Sequence, residues 1–336
     1  MQLTIVTTFV GCLLWLAQVD ATLDLLLPNQ GRQETSKCNG VSKSKQTIIK
    51  NPPTLAEDSC VYHIRPYSPN VCQLLVEFKE FELQQPVLDP QTLRLECGDH
   101  LEIGDFSLCG DNTGQHLYLP FNVAKGEKEI ALTFNLPHRW SSSKWHLIVT
   151  QLECPVHKRL GQRLLDEVLM DGRTILSAMA SDSSHDWELL APTGCNQYFT
   201  KTVGTIKSFN FKNDGSSRYL PNMKYVICIK AVNGATIIEY QATKFSLSNE
   251  IESSAGYDGD CHSTIQTDGR REDYLMIPQS YVANSMNILP TYYCGTSMQT
   301  RPDVIASAPF NLLFTSDSIT DETETGFSIN YRIRNP

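Results

Sequence analysis

The chain lacks every short signature of a common catalytic site. There is no Gly-Asp-Ser-Gly-Gly, no Gly-x-Ser-x-Gly, no His-Glu-x-x-His and no phosphate-binding glycine loop. The eight histidines, at 63, 100, 116, 138, 146, 157, 185 and 262, are scattered. No catalytic residue is nominated, and the expectation is a protein that is not an enzyme. Cys-x-x-Cys is absent too, which removes the close-spaced redox pair and the usual zinc arrangement. No Asn-x-Ser/Thr sequon occurs, so N-glycosylation drops out. Positive charge is in deficit: the formal net charge is −9. Nucleic acid demands a basic face that neutralises phosphates, so it is excluded as a partner, and the same deficit gives no help toward anionic membranes. Beyond the N-terminus no segment is apolar enough for a membrane span. The closing stretch INYRIRNP offers no tail for a lipid anchor.

What is present begins with MQLTIVTTFVGCLLWLAQVDA, an apolar run followed by small residues. It reads as a signal peptide over 1–21, cut after Ala21, with a short segment 22–37 behind it. The expected localisation is secreted and extracellular. Of the 11 cysteines, Cys12 leaves with the signal. The rest, at 38, 60, 72, 97, 109, 154, 195, 228, 261 and 294, form an even set, the mark of a disulfide framework in a secreted chain.

The remaining 41% hydrophobic and 19% charged composition suits a globular protein. Short alternating segments recur between turn residues. Examples are Val71–Leu83, Ile130–Phe134, Trp145–Leu152, Gly204–Asn210, Lys224–Ile229, Thr236–Tyr240, Phe310–Phe314 and Phe327–Ile333. Strands of this length and spacing predict an all-β protein of antiparallel sandwiches. Alternation places Phe327, Ile329, Tyr331 and Ile333 on one face. Trp140, Tyr292 and Tyr293 are candidate partner anchors, with core or loop filling the commoner role for such residues.

The two halves repeat each other. Cys97, then Asp99-His-Leu-Glu-Ile103, then Cys109-Gly110 answers to Cys261, then Asp273-Tyr-Leu-Met-Ile277, then Cys294-Gly295. A repeat of this size indicates a duplicated domain rather than a solenoid. Between the halves, residues 155–194 change texture. Leu160, Leu164, Val168, Leu169, Leu176 and Met179 recur at helical spacing, which predicts an amphipathic helix followed by a polar linker. Packing on a neighbouring domain is its ordinary role; a partner-binding helix or a cleavage point at Lys158-Arg159 are the alternatives.

These residues resemble the CUB domains of extracellular proteins. The first half supplies Cys38, Cys60-Val-Tyr-His-Ile64, Phe78-Lys-Glu-Phe81, Asp99–Ile103 and Cys109-Gly110. The second supplies Cys195, Gly204-Thr-Ile206, Cys228, Phe245-Ser-Leu247, Asp273–Ile277, Cys294-Gly295 and Gly326–Tyr331. The chain is most similar to the two-CUB secreted proteins of arthropods. The stretches Thr113–Tyr118 and Asn196–Thr200 carry that flavour. The resemblance implies a CUB-like domain over 38–154 and another over 195–336, joined by the helix-containing insert 155–194. It implies the pairs Cys38–Cys60, Cys97–Cys109, Cys195–Cys228 and Cys261–Cys294, which leaves Cys72–Cys154 by elimination.

Many CUB domains hold calcium, so the resemblance also raises a metal. Its ligands are an acid before the second cysteine, the Asp of Asp-x-Leu-x-Ile, and an Asp in the loop before the last strand. The first half offers Glu57 or Asp58, and Asp99, but the loop 135–143 has no carboxylate. The second offers Asp273 and Asp317, with no acid just before Cys228. Each half keeps two of three, so a strand-end Asp that caps a turn or faces solvent is the favoured reading and calcium the minor one. The expected function is non-enzymatic recognition of an extracellular protein or glycan. A matrix component is the alternative, and a hydrolase a weaker one.

Overall fold

The computed structural model describes residues 33–155 and 186–334, apart from 55–56, 93, 139–140, 233–235, 249–272, 284–291, 297, 299–302 and 319–323. The helix expected over the insert and the residues Cys261 and Trp140 lie outside the described residues.

In chain order the first half forms β1 (Gln33–Ser36), β2 (Gly40–Ser42), β3 (Gln46–Lys50), β4 (Ser59–Ile64), β5 (Val71–Glu82), β6 (Val87–Leu88), β7 (Leu95–Glu96), β8 (His100–Ile103), β9 (Phe106–Leu108), β10 (His116–Pro120), β11 (Ile130–Asn135) and β12 (Lys144–Glu153). One helical turn, α1 (Asp186–Leu189), follows. The second half forms β13 (Gln197–Phe199), β14 (Val203–Lys207), β15 (Lys224–Ile229), β16 (Ile237–Ser246), β17 (Tyr274–Met276), β18 (Ser280–Val282), β19 (Tyr292–Tyr293), β20 (Val304–Ser307), β21 (Asn311–Thr315) and β22 (Gly326–Arg334).

Among the described residues these strands build four five-stranded sheets, two per half, and β6 and β7 pair in a separate two-stranded one. The first sandwich sets β1-β3-β12-β5-β10 against β2-β4-β11-β8-β9. The second sets β14-β22-β16-β20-β18 against β13-β15-β21-β17-β19. The fold is all-β, as the alternation predicts. The halves also share topology. A short strand runs parallel to β4 in one and to β15 in the other, and each of these pairs antiparallel with the strand before the last. Even an irregularity recurs: the β5–β12 and β16–β22 pairings each carry a register shift mid-strand.

Alternation sends one face of each strand inward. In β4 the pattern runs half-buried, buried, in strict turn, so Cys60, Tyr62 and Ile64 enter the core. There Trp145 stacks on Phe134 with ring centroids 4.3 Å apart. Its indole N–H donates to the Tyr62 hydroxyl, which itself donates to the Lys50 carbonyl. In the second sandwich Phe314 gathers Tyr219, Tyr225 and Phe327 around it. Phe327, Ile329 and Tyr331 are buried and Ile333 half-buried, so β22 turns the expected face inward. Tyr293, an anchor candidate from sequence, is 1% exposed and meets the Ser280 hydroxyl; it belongs to the core, because it stands on the inward face of β19, the edge strand paired with β17.

Among the described residues four disulfides join Cys38 to Cys60, Cys72 to Cys154, Cys97 to Cys109 and Cys195 to Cys228. Their Cα–Cα distances run from 5.1 to 5.8 Å, the span a disulfide bridges without backbone movement. Each lies within one half. The expected Cys261–Cys294 pairing falls on Cys261, outside the described residues.

Candidate functional site

The duplicated motif places an aspartate at the same point of each sandwich, just before β8 and just before β17. Asp99 and Asp273 are both buried. Asp99 Oδ1 accepts the His138 backbone N–H at 2.9 Å, and Asp273 Oδ1 accepts the Asp317 N–H at 2.6 Å. Both acceptances tie down the loop that leaves the neighbouring inner strand, β11 or β21. A buried carboxylate that accepts backbone amides is stabilised by what it satisfies. Asp58 is exposed on its side chain, and its carbonyl accepts the Leu136 N–H at the foot of the same loop.

The second sandwich adds more to this end. The Tyr219 hydroxyl donates to Asp273 Oδ2, and Glu324 Oε2 lies 3.2 Å from the same hydroxyl. Glu324 is buried, and the sequence motif gave no sign of it. Burial pushes the Asp273 carboxyl up to about 8 against the hydrogen bonds from Tyr219 and Asp317, and the nearby Asp317 and Glu324 charges push the same way. Calcium takes six to eight oxygens. Two carboxylates and a phenol meet here, and among the described residues no three His, Cys, Asp or Glu side chains group to hold a metal ion.

The second feature lies where the sandwiches meet. Edge strand β10 faces edge strand β13, and the Tyr118 N–H donates to the Asn196 carbonyl at 2.7 Å. The Tyr198 N–H donates to His116 Nε2 at 3.0 Å. Gln197 Nε2 donates to Gln115 Oε1, whose own amide donates to the Ser208 carbonyl, each at 3.0 Å. The stretches Thr113–Tyr118 and Asn196–Thr200, notable in the sequence only for their resemblance, therefore form one junction.

Asn210 closes its far end. Its left-handed backbone (φ 60°) and full burial look costly. Four hydrogen bonds offset this. Its N–H donates to Asn112 Oδ1 and its Oδ1 accepts the Asp111 N–H, while Nδ2 donates to Gln85 Oε1 and the Arg218 carbonyl. Gly110 makes room: a Cβ there would sit 2.0 Å from Asn210 Oδ1. Apolar contact reinforces the polar one, with Phe106 against Phe209 and a small cluster of Leu75, Tyr118, Leu152, Ala191, Cys195 and Cys228.

Beside this junction runs a groove of about 660 Å³ whose walls come from both sandwiches. Glu77, Lys79, His116 and Tyr118 line one side; Tyr198, Thr200 and Lys230 line the other. Glu188 and Leu189 of α1 form an end. That turn is pinned to the first sandwich, because Asp186 pairs with Lys45 at 2.8 Å and accepts the Glu153 N–H. Pinning leaves Trp187 59% exposed and Leu189 45% exposed, with the Lys230 ammonium 5.9 Å from the indole centroid. The sequence did not single out Trp187: one tryptophan in a polar linker has no periodicity that reveals its exposure.

Residues 192–334 match the family of the animal CUB domain. The match spans the second sandwich. No curated protein matches the chain. Among solved structures, a rat MASP-1 fragment of CUB1-EGF-CUB2 domains is similar at 13% identity, covering 87% of this chain and 99% of that one, with a TM-score of 0.26. The corresponding human MASP-1/3 fragment is 15% identical over 87% and 100%, with a TM-score of 0.25. The full extracellular region of zebrafish Gpr126/Adgrg6 is 11% identical over 89% of this chain and 37% of that one, with a TM-score of 0.27. The match begins at Pro192, just before Cys195, and so takes in the junction strand β13.

Proposed function

We propose that this is a secreted, non-enzymatic recognition protein with tandem CUB domains over 38–154 and 195–336, which grips an extracellular protein or glycan in the groove between them. The observation that carries the reading is the exposed Trp187 beside Lys230, which itself lines a groove walled by both sandwiches. Large aromatic side chains next to a cation are the usual energetic centres of an interface. A rigid junction supports the reading, since a groove fixed in shape spends less free energy on ordering when it binds.

The test is a binding screen of the mature chain against immobilised extracellular proteins and glycans, repeated with Trp187→Ala. Trp187 is exposed, so the variant folds normally. Hits that weaken about tenfold or more in the variant, about 1.4 kcal/mol, support the groove. Hits that bind the variant equally place recognition elsewhere. Calcium at Asp58 and Asp99, or at Asp273 and Asp317, is the minor alternative within this reading, since only two carboxylates and a phenol meet at the Asp273 end. A melting midpoint that rises in calcium relative to EDTA, and no longer does so in Asp273→Asn, supports that part. Superimposed melts remove it.

A further inference from the structure

His116 occupies an unusual place in the junction. It lies on β10, at the edge of the first sandwich, and its Nε2 accepts a backbone N–H from β13 of the second. Only a neutral ring with a bare Nε2 can accept that bond. The ring is packed edge-on against Tyr118, at 5.7 Å, and Phe199, at 5.0 Å. It is therefore wedged between residues of both sandwiches.

The groups around it divide clearly. From β5, Glu77 stands directly opposite in register and favours a charged ring. That carboxylate is shared with Lys79 at 2.7 Å. Tyr118 on β10 and Tyr198 on β13 are neutral, their hydroxyls raised by burial. Glu188 of α1 and Lys230 behind β15 complete the lining with one charge of each sign.

We propose that His116 is a pH-sensitive latch: it holds the two sandwiches together while its ring is neutral and lets go when Nε2 takes a proton from solvent. Protonation turns the acceptor into a donor that faces another donor, the Tyr198 N–H. The Tyr198 bond is lost, and the imidazolium gains the Glu77 carboxylate opposite it within its own sandwich. An interdomain contact is exchanged for an intradomain one. Burial lowers the His116 pKa from its ordinary 6.5 in the closed form. The closed form therefore binds its proton more weakly than the open form. Closure is at full strength above about pH 6.5 and weakens below it, by about tenfold for each pH unit until the closed-state value is reached. If the groove holds the partner, as proposed above, mild acid releases it.

Hydrogen exchange of the mature chain, read on peptides covering 112–119 and 196–200, tests the latch without any partner. At about pH 7.5 both peptides are protected; at about pH 5.5, after correction for intrinsic exchange, protection falls about tenfold or more. His116→Gln keeps an acceptor that does not titrate, and its protection stays level across that range. Wild type that keeps its protection in acid overturns the inference, as does a Gln variant that loses it equally. If His116→Gln fails to close at neutral pH, Glu77→Gln decides instead. Removing the carboxylate moves the opening midpoint to lower pH, and an unmoved midpoint overturns the latch. His100→Gln, remote from the junction, opens as wild type does. Because exchange is read without ligand, a groove reading that fails in the Trp187→Ala screen leaves this result standing, and the reverse also holds.

Discussion

Asp273 and Asp99 answer the same sequence motif yet live in different electrostatic settings. Asp99 accepts the His138 backbone amide alone among the hydrogen bonds described above. Asp273 shares one phenolic proton with Glu324, and burial holds its carboxyl near 8. Because the folded value exceeds the unfolded 3.8, the unfolded chain releases this proton first as pH rises. Stability attached to Asp273 is therefore intact below about pH 4 and declines from there to about pH 8, by up to about 1.4 kcal/mol per unit. In metal-free buffer, denaturant unfolding between pH 5 and pH 8 checks this. Asp273→Asn flattens that slope. The motif showed both aspartates in the sequence. It did not show Tyr219 or Glu324, which stand 54 and 105 apart along the chain from partners they reach only through the fold.

At the scale of the element, most strands were legible because one face of each meets a core and the other meets water. That contrast writes a period of two into β4, β12 and β22. It fails where a segment serves another segment rather than the core. Gly204–Asn210 reads as one strand, but β14 ends at Lys207 and Asn210 turns into a left-handed conformation to reach Asn112. Nothing local announces this, since three of its four hydrogen bonds reach across to the first half. The disulfides act at this scale as well. Cys72–Cys154 closes 82 residues between the start of β5 and the end of β12, against 12 for Cys97–Cys109. Loop-closure entropy makes the longer link the stronger constraint on the unfolded chain, roughly 4 against 3 kcal/mol. Paired Cys→Ala variants, compared by denaturant midpoint, are expected in that order.

The whole molecule behaves as one body because its two sandwiches are joined by satisfied polar groups as well as by chain. Heating at neutral pH should give one cooperative transition. Gly110→Ala drives a methyl into Asn210 and also strains a residue at φ 69°. Differential scanning calorimetry of that variant is expected to resolve two transitions, with the core of each sandwich intact. A single transition at an unchanged midpoint means that the junction contributes little. The groove was the least legible part of the protein. Its walls come from β5, β10, α1, β13 and the end of β15, and no stretch of sequence contains it.

Each described disulfide stays within its own half, and this arrangement has a mechanical consequence. Under tension applied through the two ends, Cys72–Cys154 carries the load past the 82-residue span it closes, so β5 to β12 never feel the full force. No described disulfide spans the junction, which resists only with hydrogen bonds and a small apolar cluster. It yields first. A pulled molecule lengthens in a first reversible step at the junction while both sandwiches keep their shape, and it recloses when the force is removed. Anchored between two surfaces, the chain would act as a fuse that trips before either sandwich breaks.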